Sequence, residues 1–366
     1  MGLYTAMLRP LVFALDAERA HDLAIATAER ASRLPPLCAA MRAMQAVPSQ
    51  RLATEAGGLR FPTPIGLAAG FDKSARGVAA LAALGFGHVE VGSVSAHPST
   101  GNPKPRLFRL PADRAIVVHY GLPNDGAEAV AARLTQRRDR TVLGINVVST
   151  NHGPDAPPKS DDAVIGDYLA SVERLAPVAD YLSLNLSCPN TREGRGFFHE
   201  PARLRALLQG LDAQPPGRPL FLKVAPFAQV ADLERFLGVV HDSNAVSGFS
   251  VNLPAGKPHG LRTPADALGA MPGAVSGLPA ACAAERAIAE LFRRMDRTRY
   301  RIIGSGGVFT AQDAYRQIRL GASLVQLLTA LVYEGPGVVA RLLRGLDALL
   351  ARDGFERVAD AVGLDA

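Results

Sequence analysis

The feature that most constrains this chain is a rhythm. From about residue 60 onward, a short apolar segment followed by a stretch of helical periodicity recurs eight times. The apolar segments are Ile65–Ala69, His88–Val94, Val142–Val147, Tyr181–Leu186, Leu220–Ala225, Gly248–Asn252, Arg301–Gly304 and Leu324–Leu327. Most are continuous rather than alternating, as strands buried on both faces require. Helical patterns lie between them over Ser74–Leu84, Asp162–Ala176, Pro201–Leu211, Val230–His241, Ala280–Met295 and Ala311–Leu320. Strand then helix, eight times, predicts an α/β fold: a (β/α)8 TIM barrel. A doubly wound sheet is the alternative, but eight similar units favour closure.

Composition agrees with a barrel carrying an appendage. The chain has 366 residues, 48% of them apolar and 20% charged, enough to bury a large core and far from the signature of disorder. No uninterrupted apolar run is long enough for a membrane-spanning helix. Cys38, Cys188 and Cys282 form no CxxC pair and fit a reducing compartment. The histidines show no metal-ligand spacing; His119 and His199 fall in candidate loops and are expected to be solvated rather than catalytic. The formal charge is +6, but the arginines are scattered without basic blocks or interleaved aromatics, which argues against nucleic acid as a partner. Arg9 and Pro10 interrupt the apolar start, so no export signal is expected and the chain is placed in the cytoplasm.

Residues 1–46 read as a separate N-terminal extension of two helices ahead of a barrel over 47–366. Tyr4, Met7, Leu8, Leu11, Val12 and Leu15 repeat at helical spacing. Asp16 offers a cap, and a second pattern runs through Leu23 and Ile25 to a break at Pro35-Pro36. Such a pair either packs on its own domain or lies amphipathically on a membrane surface.

Three long connections, 95–124, 187–200 and 253–279, each follow a predicted strand. In a barrel they stand at the C-terminal face, where active sites are built. Chemistry-bearing residues end the strands there: Gly70 to Lys73, Asn146, Asn185 to Asn190, Lys223, Asn252, Gly304 to Gly307, and Leu328-Thr329. The glycine turn at Gly304–Gly307 matches the position of a barrel phosphate site, although many such turns are only tight turns. Lys223 lies within an apolar strand and needs an anionic partner or a lowered pKa. Cys188 sits in a polar loop beside two asparagines, where a thiol acts as a proton acceptor or nucleophile more readily than as a small core residue. No histidine is near it in sequence, so a Cys–His hydrolase has little support.

Taken together, these motifs resemble the dihydroorotate dehydrogenases, specifically the membrane-associated, quinone-using class 2. The resemblance spans nearly the whole chain. It is carried by Arg9-Pro10-Leu11 and the segment Leu15 to His21, by Gly70-Phe71-Asp72-Lys73, and by Gly85-Phe86-Gly87 with Val89-Glu90-Val91-Gly92. Gly101 to Leu110, Asn185 to Asn190, Gly304 to Gly307 and Gly321 to Gln326 complete it. The resemblance implies FMN held by Ala69, Gly70, Ser93, Asn146, Asn185, Lys223, Gly277, Gly306 and Thr329, with Val251 and Leu328 contributing backbone. It implies that Lys73, Asn185, Asn190 and Asn252 hold the substrate and that Cys188 is the base. Arg109 and the N-terminal helices would line a quinone path, on a protein held peripherally at the inner face of the cell membrane.

The departures from the family cluster at the substrate. Cys188 stands where class 2 enzymes usually carry serine, and is the residue of the soluble class 1. The family's Asn-Arg-Met becomes Val118-His119-Tyr120, its Gly-Phe-Asn-Asn becomes Gly121-Leu122-Pro123-Asn124, and the threonine after Asn252 becomes Leu253. A buried ligand group losing its partner costs roughly 1–3 kcal/mol, so Val118 and Leu253 together would weaken orotate binding roughly 30-fold to 10^4-fold. With Leu122, they point to a paralogue acting on a related but more apolar carboxylate or cyclic amide. A divergent true dihydroorotate dehydrogenase of pyrimidine biosynthesis is the alternative, and a non-catalytic flavin-binding module the third reading.

Overall fold

The computed structural model describes residues 4–191, 194 and 196–366. Its first barrel element is a hairpin, β1 (Thr54–Ala56) against β2 (Leu59–Phe61). The barrel strands are β3 (Ile65–Leu67), β4 (His88–Val94), β7 (Val142–Val147), β8 (Tyr181–Asn185), β9 (Leu220–Val224), β10 (Val246–Val251), β12 (Arg301–Ser305) and β13 (Leu324–Leu327). They run parallel and close in that order, with β13 returning to β3. All eight coincide with the predicted apolar segments, their ends differing by up to two residues. The six predicted helices are present, the first shortened to Val78–Ala82.

The chemistry of the strands explains the closure. Their outward side chains pack under the surrounding helices in one continuous apolar core. Inside, the N-terminal end of the barrel is plugged by Phe61 of the hairpin, packed with Tyr181, Phe221, Ile303 and Leu324. Full burial of such side chains contributes roughly 1.5–3 kcal/mol each. Helix starts are fixed locally: Ser160 caps Asp161–Leu175, and Thr310 with Asp313 forms a reciprocal capping box on Ala311–Arg319.

Two of the long connections carry β-strands rather than loop alone. Strands β5 (Leu107–Leu110), β6 (Ala115–Val118) and β11 (Ala274–Gly277) form an antiparallel sheet above the barrel mouth. Strands drawn from two separate insertions have no local periodicity that announces their pairing.

The N-terminal region holds three α-helices rather than two. After a π-helical turn at Tyr4–Leu8 come α1 (Arg9–Ala14), α2 (Ala17–Ser32) and α3 (Pro35–Gln45). Pro35 and Pro36 open α3 instead of ending a helix, since the first turn needs no N–H from either residue. Asp16 caps α2 as expected, accepting from the backbone of Glu18 and Arg19. The segment reaches the far end of the chain: the Tyr4 hydroxyl donates to the Val332 carbonyl at 2.7 Å, and Arg9 to that of Tyr333 at 3.3 Å. Arg106 clasps α2 through Glu18, both nearly buried, with Nη2 to Oε1 at 2.9 Å and Nε to Oε1 at 3.1 Å.

Candidate active site

Because the barrel strands are parallel, their C-terminal residues meet at one mouth. Ser93 comes from β4, Asn146 from β7, Asn185 from β8 and Lys223 from β9. Asn252, Gly306 and Leu328-Thr329 follow the last three strands. They open on a cavity of about 860 Å³ that extends between the barrel and the N-terminal helices, a size that encloses a cofactor or drug-sized ligand.

Ala69, Gly70, Ser93, Asn146, Asn185, Lys223, Gly277, Gly306, Leu328 and Thr329 all line it, as do Lys73, Arg109, Val118, Leu122, Cys188, Asn190, Asn252 and Leu253. Val251 does not. It is fully buried in the core, and its carbonyl accepts from the Ser305 hydroxyl at 2.6 Å.

The floor of the cavity is polar. Glu90, fully buried on β4, accepts from Asn146 Nδ2 at 3.0 Å and Lys223 Nζ at 3.4 Å on one oxygen, and from Gln326 at 2.9 Å and Tyr181 at 3.1 Å on the other. Burial by itself would raise the Glu90 pKa. The Lys223 charge and these donors outweigh burial and lower it. The anionic partner that Lys223 requires is therefore supplied by the barrel itself, from the Val89-Glu90-Val91-Gly92 motif. Asn146 also receives a very short bond from the Ser93 hydroxyl.

One wall suits a phosphate. Gly306 and Gly307 have φ of 105° and 76°, and a Cβ on Gly307 would stand 2.6 Å from the Ala281 Cα. Among the described residues no acceptor takes the N–H of either glycine, leaving two backbone donors for an anion. Next to them the Thr329 hydroxyl pairs with Ser276 at 3.0 Å. Free amide donors together with a lysine and amide side chains fit FMN: Gly306 and Gly307 would hold its phosphate, and Lys223, Asn146, Asn185 and Ser93 would face its ring system.

The opposite wall carries the candidate acid-handling groups. Asn252 Nδ2 donates to Asn185 Oδ1 and to Ser187 Oγ, both at 3.1 Å. Tyr168 holds the Asn185 carbonyl at 2.6 Å. Cys188 is buried and forms no disulfide. The Asn190 Oδ1 is buried with no partner among the described residues, while its carbonyl accepts from Asn102 at 2.9 Å. Asn102 also bonds His119, 3.1 Å from Nε2, so His119 is half-buried and hydrogen-bonded rather than solvated. His199 is exposed.

Two further groups escaped the sequence reading. Lys73 Nζ lies 2.9 Å from His21 Nε2 and 3.9 Å from the centre of the Tyr120 ring. Burial pushes the Lys73 pKa down to about 8. Burial and then the Lys73 charge hold His21 well below the usual histidine range, so its ring is neutral and accepts from the ammonium. Nothing in the sequence brings His21 or Tyr120 to Lys73, since they stand 52 and 47 positions away from it. Arg109 does not point freely into the cavity: it donates to the carbonyls of Val12, at 2.9 Å, and Leu15, with its guanidinium 4.7 Å from the Phe13 ring. It ties the link between α1 and α2 to the barrel.

This combination defines a flavin-binding (β/α)8 oxidoreductase with helices added over the mouth. The family model described as dihydroorotate dehydrogenase matches residues 51–350. A protein of Sphingopyxis alaskensis named dihydroorotate dehydrogenase (quinone) is 42% identical, with 99% of this chain and 97% of that one covered. One of the same name from Rhodospirillum rubrum is 43% identical over 97% and 93% of the two chains. The crystal structure of a dihydroorotate dehydrogenase from Eimeria tenella in complex with ferulenol superposes with a TM-score of 0.82 at 29% identity, covering 97% of this chain and 98% of that one. The chain belongs to the dihydroorotate dehydrogenase family, in its class 2, and is an FMN-dependent oxidoreductase acting on CH–CH groups.

Proposed function

We propose that this chain oxidises dihydroorotate to orotate and delivers the electrons to a quinone. The observation that carries the reading is one continuous cavity. It joins Lys73, Cys188, Asn190 and Asn252 at the barrel mouth to the apolar helices α1–α3, in a chain similar along its whole length to dehydrogenases named for a quinone. FMN, when bound, supplies the two-electron acceptor between the two substrates. Cys188 takes the proton leaving one ring carbon as hydride departs from its neighbour, while Lys73 and the asparagines hold the carboxylate and ring amides. The altered-substrate paralogue suggested by Val118, Leu122 and Leu253 finds no support among these relatives, and the dihydroorotate reading takes its place.

On this proposal residues 1–46 form the quinone-side extension and 47–366 the FMN-binding barrel. Met7, Leu8, Leu11, Leu23 and Met44 expose apolar side chains on the helices, and no described helix is long and apolar enough to cross a membrane. Peripheral contact with the inner face of the cell membrane follows as part of the same proposal. The test is anaerobic bleaching of the flavin by dihydroorotate, then recolouring by a short-chain quinone. Rapid, saturable bleaching is expected; bleaching only by other small acids would reject the assignment.

A further inference from the structure

Glu90 is an expensive residue to keep. It has no exposed surface, and a buried ion pair such as Glu90–Lys223 is often no more stabilising than well-packed apolar side chains of similar volume. Stability alone therefore does not explain it. The barrel makes room for this polar layer: a Cβ on Gly144 would sit 2.1 Å from Tyr181 Cζ, and one on Gly66 would sit 2.0 Å from His88 Nε2.

Its position explains more. The oxygen that bonds Lys223 also bonds Asn146, and both side chains line the cavity where the flavin ring fits. A carboxylate can only accept, so Asn146 must turn its NH2 toward the floor and its carbonyl toward Ser93 at the mouth. The same negative charge offsets the cation of Lys223. We propose that Glu90 is a positioning residue that orients Lys223 and Asn146 toward FMN and, by offsetting the Lys223 charge, lowers the reduction potential of the bound flavin. The proposal rests on FMN occupying this cavity, but not on the identity of the acid or of the electron acceptor.

The experiment compares the midpoint potential of bound FMN, read by dye equilibration without substrate, in the unmodified protein, Glu90→Gln and Tyr181→Phe. Without the Glu90 charge, Lys223 stands unneutralised beside the flavin and favours its more negative, reduced form. Glu90→Gln is expected to raise the potential by at least about 30 mV, a tenfold change in the two-electron equilibrium. FMN affinity of the apoprotein should also fall about tenfold. Tyr181→Phe removes a donor from the other oxygen and leaves the charge in place, so its potential should stay unchanged. Should Glu90→Gln fail to fold, Glu90→Asp keeps the charge but draws it back from both partners, and a smaller rise with weaker FMN is expected. An unchanged potential in the folded Glu90 variant, or an equal shift in Tyr181→Phe, overturns the proposal. Because no substrate is added, neither result depends on whether dihydroorotate is the substrate.

Discussion

His21, on a helix outside the barrel, accepts a 2.9 Å hydrogen bond from Lys73 in the loop that follows β3. The ammonium facing the candidate acid pocket is thus steadied by a ring from the helices proposed to receive the quinone. With Tyr120 stacked on the same ammonium, Lys73 has fixed direction but little charge compensation.

That arrangement sets a pH dependence. Lys73 is faced by His21 and Tyr120, and by the charges of Asp22, Asp72, Glu18 and Arg106, yet burial dominates and places its pKa at about 8. The cation is present below that value and is lost as pH rises through it. Orotate affinity, followed through the flavin absorbance, should be flat below pH 8 and then fall roughly tenfold per unit. Lys73→Gln should bind weakly at every pH and show no such step; a step that survives in this variant would assign the titration elsewhere.

For Cys188, replacement by alanine should slow flavin reduction roughly 10^2- to 10^4-fold, the range of a lost general base, while FMN stays bound. Cys188→Ser should recover part of the rate. Stopped-flow bleaching measures both, and an alanine variant as fast as the parent removes Cys188 from proton transfer.

Glu18 and Arg106 hold α2 to the barrel. Glu18→Ala leaves a nearly buried guanidinium without its carboxylate, at a cost of roughly 3–5 kcal/mol. The loss should appear as faster proteolysis within α2 ahead of any barrel cleavage. Burial raises the Glu18 pKa, but bonds from Arg106 and Lys104 outweigh it and the net shift is downward. The stabilisation is therefore complete above the ordinary glutamate value of 4.5 and is lost as pH falls below it toward the lower folded-state pKa. Acid should release α2 in the parent, and Glu18→Gln should show no comparable acid step.

Removing residues 1–46 should leave a yellow, folded barrel whose quinone turnover falls far more than its flavin reduction by the acid. A smaller rise in KM for the acid is expected as well, since Lys73 loses His21. Equal quinone turnover with and without the segment would place the quinone elsewhere.

The barrel was legible because its signal is local and repeated: β7 and β13 begin and end where the apolar runs do. The mouth residues were legible because a parallel barrel gathers strand ends wherever they lie in sequence. Glu90 was not, although a carboxylate inside an apolar strand carries the same signal that drew notice to Lys223. Reading the two together required a contact across the barrel interior, between strands that are not neighbours and residues that the chain separates by 133 positions. The β5–β6–β11 sheet and the His21–Lys73 bond were hidden for the same reason. Pro35-Pro36 does mark the break after α2, but proline marks a helix start as readily as a stop, and the third helix that it opens was not legible.

The bonds from Tyr4 and Arg9 to the carbonyls of Val332 and Tyr333 span 328 and 324 positions, and they bear on how the protein is made. The helices that leave the ribosome first cannot settle until nearly the whole chain has followed. At about 5–20 residues per second that wait is roughly 15–65 s. Throughout it Phe13 and Ile25, which pack against the core in the folded chain, and the side chains that will cover the cavity, have no barrel to lean on. A chaperone or a lipid surface met during synthesis would shelter them until the barrel closes.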